Sequence, residues 1–166
     1  MYAASLGADC EEIALPEDLI AAWTWHRTVH FYGIARYYGP ISDQYGILMS
    51  ARLTQAVVEG REIASATYRE AIANRETAYA ALTPIFARFD AILTPASPGP
   101  APKGLRHTGD ATFNAFWTYT GVPCVTLPLL EVDGLPMGVQ LAGPRGADGA
   151  LLRTARWLES RITRAA

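Results

Sequence analysis

The strongest constraint on folding in this chain is the stretch Phe113–Gln140, which reads FNAFWTYTGVPCVTLPLLEVDGLPMGVQ. Within and just after it, two apolar runs, Cys124–Leu130 and Met137–Ala142, flank an Asp133-Gly134 pair. An Asp-Gly pair between such runs is a strong β-hairpin signal, because both residues tolerate the positive φ angles of a tight turn. We therefore predict a hairpin over 124–142, preceded by a short helix over Thr112–Tyr119.

The first half of the sequence is predicted to be rich in helices. The first helix ends at Gly39-Pro40, because proline removes a backbone donor and clashes with the preceding turn. Ser42 and Asp43 are good N-terminal caps for a second helix, which Gly60 interrupts.

A third helix shows the clearest periodicity. Its apolar residues alternate spacings of four and three and therefore share one face, which only Arg75 interrupts. Pro84 must kink this helix or restart it. The apolar positions are Tyr68, Ile72, Tyr79, Leu82, Phe86 and Phe89.

The remaining segments complete an α/β pattern. Ala4–Leu15 is predicted to include an edge strand, and the apolar run Ala91–Thr94 a buried strand. Pro95–Gly109 is a loop by composition, and its length favours a binding function over a simple connection. Asp148 caps a final helix whose inward positions are Leu151, Ala155, Leu158 and Ile162.

Composition indicates a globular protein and excludes several classes of partner. Half of the 166 residues are apolar and 18% are charged, with a formal net charge of −2. That balance gives no reason to expect nucleic acid or an anionic membrane as a partner. Cys10 and Cys124 follow no disulfide or zinc spacing, which favours a reducing cytoplasm. No apolar run is long enough to span a membrane, and no signal peptide is expected.

Nucleophiles are present, but none has the sequence context of a reactive group. No serine lies in a glycine-rich turn, and Lys103, the only lysine, lies in the proline-rich loop, where we expect it to be solvated. Cys124 has no cation nearby in sequence to stabilise a thiolate, so a buried structural thiol is favoured over a nucleophile.

Two further patterns suggest a metal or a phosphate but are incomplete. His26 and His30 stand four apart on a helix, a spacing that lets two imidazoles share a metal, yet the chain between them lacks the metalloprotease glutamate. A core or interface pair is favoured over zinc. The glycines of Gly143–Gly149 lack the lysine of a phosphate-binding loop and favour a turn into the last helix.

An ordered series of short motifs resembles the amidase signature family of serine amide hydrolases, which includes the amidotransferase A subunits. The similarity runs nearly end to end, and each motif alone is weak. The series comprises the Leu-Pro step near Pro16, the Asp-x-x-Leu-Thr-Pro run over Asp90–Pro95, the proline-rich Pro98–Pro102, Asn114, Gly121-x-Pro123, Pro128, and the return Gly134-Leu135-Pro136-x-Gly138-x-Gln140.

The resemblance implies a fold and a division of labour. The family fold is an α/β/α sandwich with a mixed sheet, so residues 1–166 are expected to form a single partial domain, its C-terminal portion. The family's Ser–Ser–Lys triad and glycine-rich loop precede the part that resembles this chain. The resemblance therefore implies no catalytic residue, metal ligand or cofactor site here.

The resemblance also implies that this portion lines the acyl pocket. The candidate substrate-binding residues are Thr94, Pro95, Ala96, Asn114 and Trp117. For Asn114, a helix cap or satisfied turn is an equal alternative, and for Trp117 core packing is favoured.

The implied function is the pocket-lining portion of an amidase, inactive alone. The alternative is a non-catalytic binding or assembly module that kept the scaffold, and a third possibility is an independent hydrolase using Cys124 or the histidines. The expected partners are a small amide substrate and either a separate N-terminal half or a second copy, because uncovered sheet edges and apolar faces promote association.

Overall fold

A computed structural model describes residues 7–16, 18–105 and 107–165. The helix-rich first half and the later small sheet confirm the α/β class predicted from the sequence. The elements in chain order are α1 (Asp18–Tyr45), a short 3-10 helix (Gly46–Leu48), α2 (Ala51–Arg61), α3 (Ser65–Phe86), β1 (Ile92–Pro95), α4 (Thr112–Thr120), β2 (Cys124–Val132), β3 (Leu135–Ala142) and α5 (Asp148–Ala165).

The sheet has the order β1-β3-β2, and both pairings are antiparallel. β2 and β3 form the predicted hairpin, and its turn residues Asp133 and Gly134 have φ angles of 53° and 75°. Those angles are the reason for an Asp-Gly pair at this turn. The resemblance implied a mixed sheet, whereas the strands that the described residues form are all antiparallel.

Each face of the sheet packs against a different helix. The apolar face of α5 (Leu151, Ala155 and Leu158) covers Leu127 and Leu141, as its predicted periodicity required. On the opposite face Ile92 and Ala142 pack with aromatic residues of α4 and with α1 and α3. The side chain of Ile162 lies outside the described part of α5.

α1 crosses α2 at very short range, and Gly60 makes this approach possible. A Cβ atom at Gly60 would overlap the carbonyl oxygen of Phe31 and lie 2.8 Å from Ala35 Cβ. The sequence predicted that Gly60 would interrupt α2, and that prediction is wrong, since α2 continues to Arg61. The energy gained by close helix packing exceeds the modest helix penalty of glycine.

The predicted helix end at Gly39-Pro40 is also wrong, because α1 continues to Tyr45. Arg61 explains the continuation. Its guanidinium donates to the carbonyl oxygen of Gly39 at 3.1 Å and to the Asp43 carboxylate at 2.8 Å. This tertiary contact ties the residues on both sides of Pro40 to α2 and so stabilises the helical continuation to Tyr45.

The predicted helix caps need correction. Asp43 pairs with Arg61 inside α1, and the N-terminal cap of α2 is Ser50, whose hydroxyl accepts from the Leu53 amide at 3.3 Å. Asp148 is the first residue of α5, where its charge suits the helix dipole, and the carbonyl of Ala147 accepts the first helical bonds.

Two other local predictions concern Pro84 and the N-terminal strand. Of the two outcomes predicted at Pro84, a kink or a restart, the restart is excluded, because α3 passes through Pro84 and ends at Phe86. The segment from Ala8 to Pro16 forms no strand, although Ala8 and Cys10 do pack beside the α5 cluster. The part of that predicted strand before Gly7 lies outside the described residues. No helix in the described ranges is both long and apolar enough to cross a bilayer.

The crossing at Gly60 gives a direct stability test. We expect Gly60→Ala to lower the free energy of unfolding by about 1–3 kcal/mol, because the added methyl forces α1 and α2 apart. Gly33→Ala is the matched control, since Gly33 lies in α1 and a Cβ atom added there would have nothing within 4 Å. That change should raise stability by about 0.5–1 kcal/mol. The free energies of unfolding can be measured by urea denaturation. A Gly60→Ala variant that is more stable than the Gly33→Ala variant would contradict this packing.

Candidate functional site

The candidate pocket residues gather where β1 ends and α4 begins. Thr94 and Pro95 are the last two residues of β1, and Ala96 continues the pairing because its amide donates to the carbonyl oxygen of Gly138 at 2.9 Å. Asn114, in the first turn of α4, donates from Nδ2 to the carbonyl oxygen of Ala96 at 3.3 Å. The two ends of the proline-rich loop are therefore joined at Ala96 and Asn114.

Asp110 fixes the start of α4 and with it the position of Asn114. Its carboxylate accepts from the Thr112 hydroxyl at 2.6 Å and from the Thr112 amide at 2.8 Å. These hydrogen bonds hold the pKa of Asp110 below its usual range. The arrangement leaves Asn114 exposed and free for a side-chain contact beyond Ala96.

Trp117 differs from Asn114 in its burial. It is 3% exposed and packs in the core with Phe116, at 4.7 Å between ring centroids, in an edge-to-face arrangement. The structure thus brings Thr94, Ala96 and Asn114 together and places Trp117 in the core behind them. A substrate contact by any of them stays a prediction.

A polar row across the sheet escaped the sequence analysis. Gln140 on β3 lies between Thr94 on β1 and Thr126 on β2, and directly paired residues project on the same face. Gln140 is only 2% exposed. Its presence in an otherwise apolar strand was a usable signal, but its two neighbours lie on strands that only the fold brings alongside.

Cys124 borders this row without the features of a nucleophile. The predicted burial of Cys124 is wrong for the residue as a whole, which is exposed. Its sulfur is nevertheless partly enclosed, and this burial raises the pKa of the thiol, although the hydrogen bond with the Gln140 side chain acts to lower it. The sulfur lies 3.9 Å from the carbonyl oxygen of Val122. A raised pKa disfavours the thiolate that nucleophilic chemistry requires.

Four serine hydroxyls in the described part of the chain, those of Ser50, Ser65, Ser97 and Ser160, bond to backbone groups or to another hydroxyl. Ser97 donates to the Gly99 carbonyl oxygen at 2.7 Å, Ser160 donates to Trp157, and Ser50 caps α2. Lys103 is exposed in the loop, as expected. The described residues also contain no group of three or more side chains suited to a metal ion.

Two arginines hold the C-terminal end of α4. Arg75 Nε donates to the Tyr119 carbonyl oxygen at 2.7 Å, and Arg145 Nε donates to the Thr120 carbonyl oxygen at 2.7 Å. Carbonyl groups at a helix end lack partners within the helix and carry partial negative charge. Arg75, the exception on the face of α3, is therefore explained by this contact.

Removing one of these donors should destabilise the whole chain. We expect Arg145→Met to lower the free energy of unfolding by about 1–3 kcal/mol, because the buried Thr120 carbonyl loses its charged donor. The hydrogen bond from Arg145 holds the pKa of Glu76 below its usual range, but Glu76 is exposed. Glu76→Gln should therefore change stability far less. If Arg145→Met and Glu76→Gln lowered the melting temperature equally, Arg145 would stabilise the chain through its ion pair with Glu76 and not through the end of α4.

His26 and His30 form a stacked pair on α1, with ring centroids 5.7 Å apart. His26 is half-buried, and this burial, together with the charge on His30, lowers its pKa below the ordinary 6.5. The folded state therefore favours neutral His26 and binds fewer protons than the unfolded chain.

This pair predicts a pH dependence of stability. The contribution of His26 is complete above the unfolded pKa near 6.5 and is lost as the pH falls through the lower folded value. The free energy of unfolding should therefore decrease between pH 7.5 and 5.5, and His26→Gln should flatten that decrease. An equally steep decrease in the variant would contradict the assignment.

Comparison with known proteins agrees with this architecture. The profile of the Amidase family matches residues 33–152. This chain belongs to the amidase family. A solved amidase superposes with a TM-score of 0.83 and 29% identity, covering 95% of this chain and 39% of its own.

Other relatives extend the match. The A subunit of the glutamyl-tRNA(Gln) amidotransferase of Thermotoga maritima is 28% identical, over 93% of this chain and 38% of its own length. The crystal structure of a Thermotoga maritima A subunit of this kind superposes with a TM-score of 0.63. The corresponding protein of Pseudomonas savastanoi is 42% identical over 77 residues, 42% of this chain and 16% of its own. The chain thus spans about two fifths of the length of the relatives it matches throughout.

Proposed function

We propose that this chain is the C-terminal, pocket-lining portion of an amide hydrolase whose Ser–Ser–Lys triad lies outside it, and that residues 1–166 form a single partial domain. The observation that carries the proposal is a match along nearly the whole chain to enzymes of which it covers about two fifths. The surroundings of Lys103, Cys124 and the serines in the described part of the chain support it, because none of these groups has the environment of an activated nucleophile.

The reaction would be attack of a serine on a small carboxamide, which breaks the C–N bond and releases ammonia or an amine as the acyl-enzyme forms. Water would then hydrolyse the acyl-enzyme, releasing the carboxylic acid and regenerating the serine. In it, this chain would shape the pocket. Asn114 offers an exposed amide beside the end of β1, and the Ala96 contact fixes its position. Such a group suits orientation of a substrate carbonyl or amide, a function that needs precise placement rather than a shifted pKa.

Association is part of the proposal, because large apolar side chains stand exposed where α1 ends. Ile47 is 96% exposed and Leu48 is 82% exposed, with Tyr37 and Tyr45 nearby in sequence. Contiguous apolar patches on a protein surface typically mark interaction sites, and we propose that these side chains contribute to one. The occupant would be an N-terminal amidase half or a second copy. Two free cysteines are consistent with a cytoplasmic setting.

The test is an assay with and without the rest of an amidase. We expect the purified chain to release no ammonia from small aliphatic and aromatic carboxamides. Co-expression with the N-terminal portion of the Thermotoga maritima relative, which carries the family triad by our proposal, should give measurable turnover. Turnover by the chain alone, abolished by Cys124→Ala, would instead establish an independent hydrolase. Amide binding without turnover in both preparations would favour a non-catalytic binding module.

A further inference from the structure

Two buried oxygen atoms on the sheet lack hydrogen-bond partners among the described residues. They are Oγ1 of Thr94 and Oε1 of Gln140. Thr94 and Gln140 are directly paired across β1 and β3, so the two oxygens belong to one location. Buried polar groups in folded proteins nearly always find partners, and one left without a partner costs stability.

The pair lies on the sheet face that α5 does not cover. α5 packs on the face of Leu127 and Leu141. On the face of Gln140, the apolar cluster with α4 includes Ile92 and Ala142, two positions away from the pair in each strand. The next residue across the row, Thr126, is exposed.

No donor among the described residues bonds to either oxygen. The Asn114 side-chain amide donates to the carbonyl oxygen of Ala96. The Cys124 thiol lies against the carbonyl oxygen of Val122. A partner for the two oxygens therefore has to bring its own N–H or O–H groups.

We propose that Thr94 and Gln140 form the hydrogen-bonding contact for the N-terminal portion of the amidase, which donates backbone or hydroxyl protons to the two oxygens. This inference rests on the proposed function and specifies where the two portions meet. The relatives carry about three fifths of their length beyond the region this chain matches, enough to cover this face. The pair also adjoins Ala96, so a portion docked here would face the proposed pocket residues.

The proposal implies a local rearrangement. Both oxygens are closed to solvent in the chain alone, so docking turns the Gln140 side chain toward its exposed neighbour Thr126. In the chain alone the two unpartnered polar groups lower the free energy of unfolding, whereas in the assembled enzyme their hydrogen bonds strengthen association. Replacing them should therefore stabilise the isolated chain and weaken binding of the N-terminal portion.

The first experiment needs no partner. In Thr94→Val/Gln140→Met, both oxygens are replaced by apolar groups of similar shape. The melting temperature of the isolated chain should rise by about 3 °C or more, because two unsatisfied groups are removed. The matched control is Thr77→Val/Gln44→Met, which makes the same chemical changes at exposed positions of α3 and α1. It should leave the melting temperature nearly unchanged.

The second experiment measures association. A tagged N-terminal portion of the Thermotoga maritima relative is co-expressed with each chain and used for co-purification, ammonia release and titration of affinity. The wild-type and control chains should co-purify with equal affinity. The Thr94→Val/Gln140→Met chain should bind about tenfold more weakly or worse, through the loss of two hydrogen bonds.

Each outcome decides one point. A fall in melting temperature for the isolated double variant overturns the inference, since the oxygens would then already be satisfied. Equal binding by the wild-type chain and the double variant, with turnover in both, overturns the inference but keeps the proposed function. Failure of the wild-type chain to bind overturns both. A dimer of the isolated chain that the double variant dissociates would assign the contact to a second copy and overturn the inference.

Discussion

The contact on which the remaining structure depends is the pair of guanidinium groups at the end of α4. Arg75 comes from the helical half, Arg145 follows the last strand, and both donate to consecutive carbonyls of one helix. Gly121 makes room for them. Its φ angle is 68°, and a Cβ atom there would lie 3.2 Å from Arg75. The helical half, α4 and the sheet are thereby fixed relative to one another by a few charge-assisted bonds.

This arrangement explains which parts of the fold were readable from the sequence. The hairpin was predicted correctly because its determinants, an Asp-Gly turn and two apolar runs, are all local. The apolar face of α5 was predicted for the same reason. The ends of α1 and α2 were not, because Arg61 and the close contact of Gly60 with Phe31 join residues more than twenty positions apart. Local propensity there is overridden by packing.

The candidate site shows the same limit. The motif series led to Thr94, Ala96 and Asn114, which the structure brings together. Gln140 appeared in that series only as the last residue of a motif, and although a glutamine in an apolar strand is a signal, its polar neighbours could not be read from the sequence. Its neighbour in the sheet lies 46 positions earlier, and register, rather than sequence spacing, places the two side by side.

If, as we propose, this chain is one portion of an enzyme, it must keep its own core while leaving a surface for the remainder. This chain meets the first condition with separate apolar clusters on the two faces of one small sheet. The second requires groups that are tolerated alone and satisfied on assembly. Apolar side chains provide affinity but do little to fix the relative orientation of two docked portions, since they pack in many orientations. Unpartnered polar atoms fix that orientation, because a hydrogen bond forms only within a narrow range of geometries. The exposed apolar groups near Ile47 would therefore provide most of the affinity of docking, and the buried polar atoms of Thr94 and Gln140 would fix its orientation.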